Sequence, residues 1–195
     1  MVTVKSLIGI DLPSEATANT LLDAYLESMH WYLAFFHIPT FRARLNPILA
    51  TGVAPSTSRP FLLLFLLVMS LGVDAIITQN KQEKCPGVNL GDLKAELVAT
   101  AERWYLPSME NLTVETVAYS FLMFCRNLMG RQTKVAHVTM VTTVRAAQSI
   151  GLHREAYWKD VQDSVDRDMR RRLWWNVFIG AGYVSLPSIL EALFH

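Results

Sequence analysis

The stretch Phe61-Leu62-Leu63-Leu64-Phe65-Leu66-Leu67-Val68-Met69-Ser70-Leu71-Gly72-Val73 decides the fold. Only Ser70 and Gly72 interrupt it, and Asp74 closes it. A membrane-crossing helix needs about 20 apolar residues. The run is too short for that, and Asp74 stands where the second half of a span would lie. Pro60 suits the first turn of a helix, where its missing amide costs nothing. The pattern predicts a helix from Pro60 to about Gln79, apolar on most sides and therefore buried at the centre of the molecule.

On the N-terminal side, Leu21, Leu22, Tyr25, Leu26, Met29 and Leu33 recur at helical spacing, with Asn19 or Thr20 as the cap. Ile38-Pro39 breaks that helix. Thr40 then caps a second, short helix through Leu45, with Pro47 near its end. The segment 51–58 is rich in Gly, Pro, Ser and Thr and reads as a loop.

On the C-terminal side, Asp92 caps a fourth helix that ends near Trp104. Thr113 caps a fifth, with Val117, Phe121, Leu122, Phe124 and Leu128 inward and Gly130 ending it. A sixth runs from Thr133 to Ile150 with Val135, Val138, Val141, Thr142 and Ala146 inward, and Gly151 suits its left-handed stop. Asp163 or Ser164 opens a seventh through Trp174, Trp175 and Phe178. Ser188 to Phe194 adds a short apolar helix. No alternating run is long enough for a sheet. The expectation is an all-α array of about seven helices packed as antiparallel hairpins, in a single domain over residues 1–195.

Composition narrows the function. The chain has 195 residues, 51% hydrophobic and 18% charged, which excludes a disordered tail. Its 18 basic and 17 acidic residues leave a formal charge of +1, without the excess expected of a free-standing nucleic-acid binder. Cys85 and Cys125 stand far apart, which argues against a disulfide framework and for a reducing compartment. Residues 1–10 do not make a signal peptide.

Motifs for chemistry are missing. His30 and His37 are seven apart, but zinc needs three or four converging ligands and no third is evident. No nucleophile elbow, P-loop or dinucleotide-binding loop occurs. Asp163, Asp166 and Asp168 precede Arg170, Arg171 and Arg172, which reads as favourable charge at a helix start and local pairing. The arginines read as a solvated face or as a phosphate or coactivator contact. Adjacent Trp174 and Trp175 cannot point the same way on a helix, which leaves one of them to line a groove or an interface.

Two segments carry a resemblance. They are Ala147-Gln148-Ser149-Ile150-Gly151-Leu152-His153-Arg154-Glu155 and Asp168-Met169-Arg170-Arg171-Arg172-Leu173-Trp174-Trp175. Together they resemble the fungal-specific transcription factor domain, the middle homology region of fungal zinc-cluster transcription factors. That family runs A-x-S-L-G-L-H-R, an acidic spacer, then R-R-R-L-W-W. Residues 22–31, the His37-Ile38-Pro39-Thr40-Phe41 turn and residues 113–117 are similar to the family in the same order.

The resemblance implies a helical regulatory domain that lies C-terminal to a zinc cluster and a dimerising coiled coil. Such domains modulate a nuclear transcription factor, sometimes by sensing a small molecule, and many of these factors control nutrient use or secondary-metabolite gene clusters. The zinc cluster needs six close cysteines, so no zinc or other cofactor is expected in this chain. After Trp175 the family continues with an Asp-Arg pair and a Gly-Arg-Pro turn; here Ile179-Gly180-Ala181-Gly182-Tyr183 follows. The expected chain is a domain cut short at its C-terminus, with apolar surface left uncovered.

The expected function is transcription regulation in the nucleus through protein or ligand contacts, not catalysis. Expected partners are a full-length factor or coregulator, a second copy, or a small molecule, without direct nucleic-acid contact and without a membrane. Arg170, Arg171, Trp174, Trp175 and His37 are the expected contact residues. The alternatives are a helical small-molecule binder or enzyme recruited to a biosynthetic pathway, or a fragment with no function of its own. A buried pocket with converging polar groups would favour the binder or enzyme. An open apolar groove would favour the regulator.

Overall fold

A helix with no polar side has to be enclosed, and the architecture begins there. The computed structural model describes residues 1–158 and 161–194, with side chains described as far as Val184. Its order is β1 (Val2–Thr3), α1 (Val4–Ile8), α2 (Glu15–Tyr25), α3 (Ile38–Thr51), β2 (Val53–Ala54), α4 (Arg59–Thr78), α5 (Leu90–Ser108), α6 (Val114–Met129), α7 (Thr133–Ser149) and α8 (Ser164–Phe194). The all-α expectation holds, with eight α-helices among the described residues. Packing divides the chain into two compact units. The first is Met1–Leu33 with His37–Glu110; the second is Ala34–Phe36 with the chain from Asn111 onward.

The first unit is built around α4. Fifteen of its twenty residues are buried, Phe61 to Val73 without a gap. Each fully buried Leu, Phe or Val contributes about 1.5–3 kcal/mol of transfer free energy, offset by the entropy of ordering the chain. By length and composition alone α4 could cross a membrane; its burial by neighbouring helices makes it a core helix. Ser70 is accommodated because its hydroxyl donates to the Leu67 carbonyl at 2.8 Å.

The neighbours arrive through specific contacts. On α2, Leu21, Leu22 and Tyr25 are fully buried. The closest approach is at Gly72, where an added Cβ would collide with the Leu21 carbonyl. From α3, the Phe41 ring lies 4.9 Å from Phe61 and 6.2 Å from Phe65. Arg59 ties both ends of the unit together. Its Nε donates to the Leu7 carbonyl at 2.9 Å, and its guanidinium lies 4.3 Å over the Trp104 ring of α5. Trp104 Nε1 donates to the Ile8 carbonyl at 2.9 Å. Lys94 of α5 pairs with Asp74, the charge that closes the apolar run.

Several boundaries differ from the sequence reading. Ser14, not Asn19 or Thr20, caps α2, with Thr17 N–H donating to its hydroxyl at 3.2 Å. The helix widens into a π-turn at Leu26–His30 instead of running straight to Leu33. The expected second helix, from Thr40 to Leu45, is α3, which starts at Ile38 and passes through Pro47 to Thr51. Pro47 is exposed, so its ring interrupts the helix bonding on the solvent side and not in the core. Asn89 caps α5, its Oδ1 accepting from Gly91 and Asp92, so the helix opens two residues before Asp92. The five-residue α1 and the two-residue β1–β2 ribbon, with Val2 opposite Ala54, were not foreseen.

The second unit is an α6–α7 hairpin with α8 laid on it. Thr113 and Thr116 form a reciprocal capping box at the start of α6, as the cap reading anticipated. Val117, Phe121, Leu122 and Phe124 are buried, and Phe35 packs edge-on against Phe121 at 6.0 Å.

The inward face of α7 differs from the expectation. Ala146 is buried as expected and Thr142 is half-buried, but Val135, Val138 and Val141 are exposed, and Ala136, Thr139, Met140, Thr143 and Ala147 are buried in their place. The reason is the seam with α6, where Ser120 and Thr143 hydroxyls meet at 2.6 Å and Asn127 Nδ2 donates to Thr139 Oγ1 at 3.4 Å. Small residues allow that close approach, and branched valines are rotated outward. Gly180 of α8 fits the same hairpin: an added Cβ would lie 3.2–3.3 Å from Phe121, Phe124 and Met140. The seventh helix of the sequence reading continues as α8 to Phe194, in place of a separate helix from Ser188.

Gly72→Ala is expected to destabilise the chain by about 2–3 kcal/mol, because the new methyl meets backbone that cannot rotate away. Urea denaturation followed by circular dichroism checks this; a loss below about 0.5 kcal/mol, typical of an unconstrained surface position, would contradict the Gly72–Leu21 contact.

Candidate functional site

The two signature segments form one strap in the second unit. At the end of α7, Gly151 adopts φ +71°. Its N–H donates to the Gln148 carbonyl at 3.0 Å, and Leu152 N–H reaches back to the Ala147 carbonyl at 2.9 Å. This is a Schellman stop, with buried Leu152 and Ala147 as its apolar contact. An L-residue at such a φ costs about 1–2 kcal/mol, which accounts for glycine here. Trp158 then buries itself over the turn, its Nε1 donating to the Gly151 carbonyl at 3.1 Å.

The strap crosses to α8 through charge and rings. Arg171 grips Glu155 with two donors, Nε at 3.1 Å and Nη2. Arg167 Nη1 donates to the carbonyls of Trp158 and Val161 at 3.2 and 3.3 Å. His153 lies 5.7 Å from the Trp174 ring, which lies 6.2 Å from Phe178. Asp163 opens α8, its carboxylate accepting from Val165 N–H at 2.9 Å. Hydrogen bonding from Arg171 holds the Glu155 carboxyl below its ordinary range, and the same pair raises the Arg171 guanidinium.

The expected contact residues therefore sit in different surroundings. Arg170 pairs with Asp166 at 3.1 Å, Arg171 with Glu155, and Arg172 with Asp168 at 2.8 Å. The triplet is internally neutralised. Trp174 is half-buried under the strap. Trp175 faces outward, 5.6 Å edge-on to Phe178. His37 belongs to the first unit, where its Nδ1 bonds Thr40 Oγ1 at 2.9 Å at the start of α3. Among the described residues no three His, Cys, Asp or Glu side chains gather as a metal site.

The sequence reading missed an open groove of about 310 Å³ on the other side of the hairpin. Val141, Val144, Met140 and Gln148 of α7 line it with Ala181 and Val184 of α8, and His137 and Arg145 complete the lining. His137, Val141, Val144 and Gln148 follow helical spacing, one stripe of α7. The signal was in the sequence as a second, small-residue stripe at Ala136, Thr139, Thr143 and Ala147 that competes for the interior. The groove is apolar along its floor and open to solvent. No polar groups converge on a buried point within it, so it has the form of a docking surface for a side-chain ridge.

The model of the fungal specific transcription factor domain matches residues 22–186, most of both units. The chain belongs to that family. It is 27% identical over 177 residues to transcription factor lepE of Aspergillus flavus, covering 88% of this chain and 21% of that relative. It is 29% identical over 185 residues to transcription factor opdR of Penicillium oxalicum, covering 93% and 22%. Transcription factor yanR of Aspergillus niger matches at 27% over 183 residues, with 22% of its length covered. The chain thus spans about a fifth of the length of the curated relatives it matches, and these relatives are transcription factors rather than enzymes. No solved structure gives a significant match.

Two predictions test the strap. Gly151→Ala should lower stability by about 1–2 kcal/mol, read from the urea midpoint; an unchanged midpoint would remove the left-handed stop as a requirement. The folded pKa of Glu155 is depressed, so its stabilisation is complete above the unfolded carboxyl value of about 4.3 and fades as pH falls through the folded value. The melting-temperature gap between wild type and Glu155→Gln should therefore hold at neutral pH and close as pH falls below about 4.3 and through the depressed folded value. A gap that persists at the acid end would show that the ion pair is not its source.

Proposed function

We propose that this chain is the regulatory helical domain of a nuclear fungal transcription regulator, acting through protein contacts made by its second unit. The observation that carries the reading is the open apolar groove between α7 and α8, next to a family signature whose charges are already paired internally. An amphipathic partner helix docks in such a groove by its apolar ridge, with Arg145, His137 and Gln148 offering polar contacts to its flanks. Among the expected contact residues, Trp175 is the one best placed to meet a partner, since Arg170 and Arg171 are engaged within the chain. Control of a metabolic or secondary-metabolite gene cluster is the finer expectation, and rests on the family resemblance.

Direct DNA contact is not part of this proposal. The formal charge is +1, and the arginine triplet is matched by Asp166, Asp168 and Glu155. Zinc belongs, in this reading, to the family's separate DNA-binding module and not to this chain.

The test is tethering. Fused to an unrelated DNA-binding domain in a fungal host, the chain should change transcription of a reporter, up or down. Val141→Glu with Val144→Glu should abolish the change while the fusion remains nuclear and abundant. A reporter insensitive to the fused chain would overturn the reading. In a mobility-shift titration the chain should show no salt-dependent duplex binding; a steep fall of affinity with salt would place DNA contact in this chain after all.

A further inference from the structure

The α6–α7 hairpin carries charge of one sign. No Asp or Glu occurs between Glu115 and Glu155, whereas Arg126, Arg131, Lys134, Arg145 and Arg154 all lie in that interval. Two of these are engaged locally: Arg126 donates to Asn127 Oδ1 at 2.9 Å, and Arg154 donates to His153 Nε2 at 3.0 Å. Arg131, Lys134 and Arg145 are exposed and take part in no ion pair among the described residues. Arg145 Nη1 reaches only the neutral Gln148 Oε1, at 3.2 Å. The contrast is with Arg170, Arg171 and Arg172, each of which meets a carboxylate of its own chain.

Two of the unmatched cations bracket the groove. Arg145 lines it, and Lys134 stands one turn before His137 on the same side of α7. Eleven residues separate them, about 16 Å along the helix axis. Between them Val141 and Val144 form part of the apolar floor, and Val138, 66% exposed, extends the apolar surface beside it. The α8 bank adds no charge, since none occurs from Leu173 to Val184. The groove is thus an apolar strip with a cation toward each end of one bank and no carboxylate on either.

We propose that the groove receives an amphipathic helix of a partner protein that bears carboxylates on one flank, about three turns apart, beside a ridge of large apolar side chains. The inference rests on the groove reading above and names that partner's chemistry. The ridge buries against Val141, Val144 and Ala181 and supplies the affinity. The carboxylates meet Lys134 and Arg145 and set which helix is accepted and in what register, because charge at an exposed rim discriminates more than it binds. A helix with a basic flank would set like charges against both cations. A nucleic acid is a poor match: phosphates are held by a run of cations, and here valines stand between them.

The test is a fluorescence-anisotropy titration of the 195-residue chain with three labelled helical peptides of about 20 residues. All share one leucine ridge, and their flank positions are Glu, Gln or Lys. The Glu peptide should bind at least about fourfold tighter than the Gln peptide, as two exposed ion pairs allow, and the Lys peptide more weakly than either. Lys134→Glu with Arg145→Glu should reverse the order of the Glu and Lys peptides and leave the Gln peptide within about twofold. Both side chains are exposed, and circular dichroism checks that the fold is kept. Val141→Glu with Val144→Glu should remove binding of the Glu and Gln peptides. Three peptides that bind equally, and lose binding only with the valine changes, would overturn the acidic partner while leaving the groove as a docking site. A preference for the Glu peptide that survives K134E/R145E, or Glu-peptide binding undiminished by V141E/V144E, would place the attraction elsewhere and overturn the proposal. Failure of all three peptides to bind would also overturn it. The reporter assay uses none of these peptides, so it decides the groove reading separately.

Discussion

A helix without a polar side must be surrounded, and both units are organised by that constraint. In the first unit it is met: α4 is sheathed by α2, α3 and α5, and the one residue too large for the tightest approach is replaced by Gly72. Asp74, the charge that closes its apolar run, is answered by Lys94 where the helix emerges. In the second unit the constraint is met on one side of α8 only. Leu173, Val177 and Gly180 sit on the α6–α7 hairpin, and the aromatic residues opposite face water.

The family signature explains how α8 is held there. A glycine stop turns the chain sharply enough for Glu155 to reach Arg171 and for His153 to lie against Trp174. Removing the left-handed residue would misplace the carboxylate and the ring together. The conspicuous arginines, which invite a reading as a phosphate site, are consumed in this work: each has a carboxylate partner within the chain. Surface ion pairs of this kind contribute little individually, about 0–1 kcal/mol. Their arrangement as a strap across two elements fixes where α8 lies more than how stable it is.

The fold was legible where local chemistry and periodicity agreed. The length of α4, the Thr113 cap, the extent of α7 and the glycine stop could all be read from residue types. What escaped were elements too short to show a period, namely α1 and the β1–β2 ribbon, and helix starts where an earlier Ser14 or Asn89 offered the better cap. Pro47 misled because a helix tolerates proline on a solvated face. The α7 face was misread for an instructive reason. Hydrophobicity placed Val135, Val138 and Val141 inside, but a close seam with α6 selects for volume, and Ala136, Thr139, Thr143 and Ala147 fit it. The groove follows from that rotation, so the small-residue stripe was its one trace in the sequence.

The same rotation bears on what the second unit can recognise. Turning the valines outward leaves an apolar groove between α7 and α8, while Trp175, Phe178 and Tyr183 leave an aromatic stripe on the exposed face of α8. The arginine triplet on α8 is neutralised in pairs, and Arg145 at the groove donates to the Gln148 amide oxygen at 3.2 Å. Recognition by these surfaces must therefore rest on shape and burial, with weak dependence on salt, whereas a surface of unpaired arginines would bind any polyanion. On the proposed reading, internal pairing of the arginines would weaken attraction to DNA and favour protein contact at these surfaces.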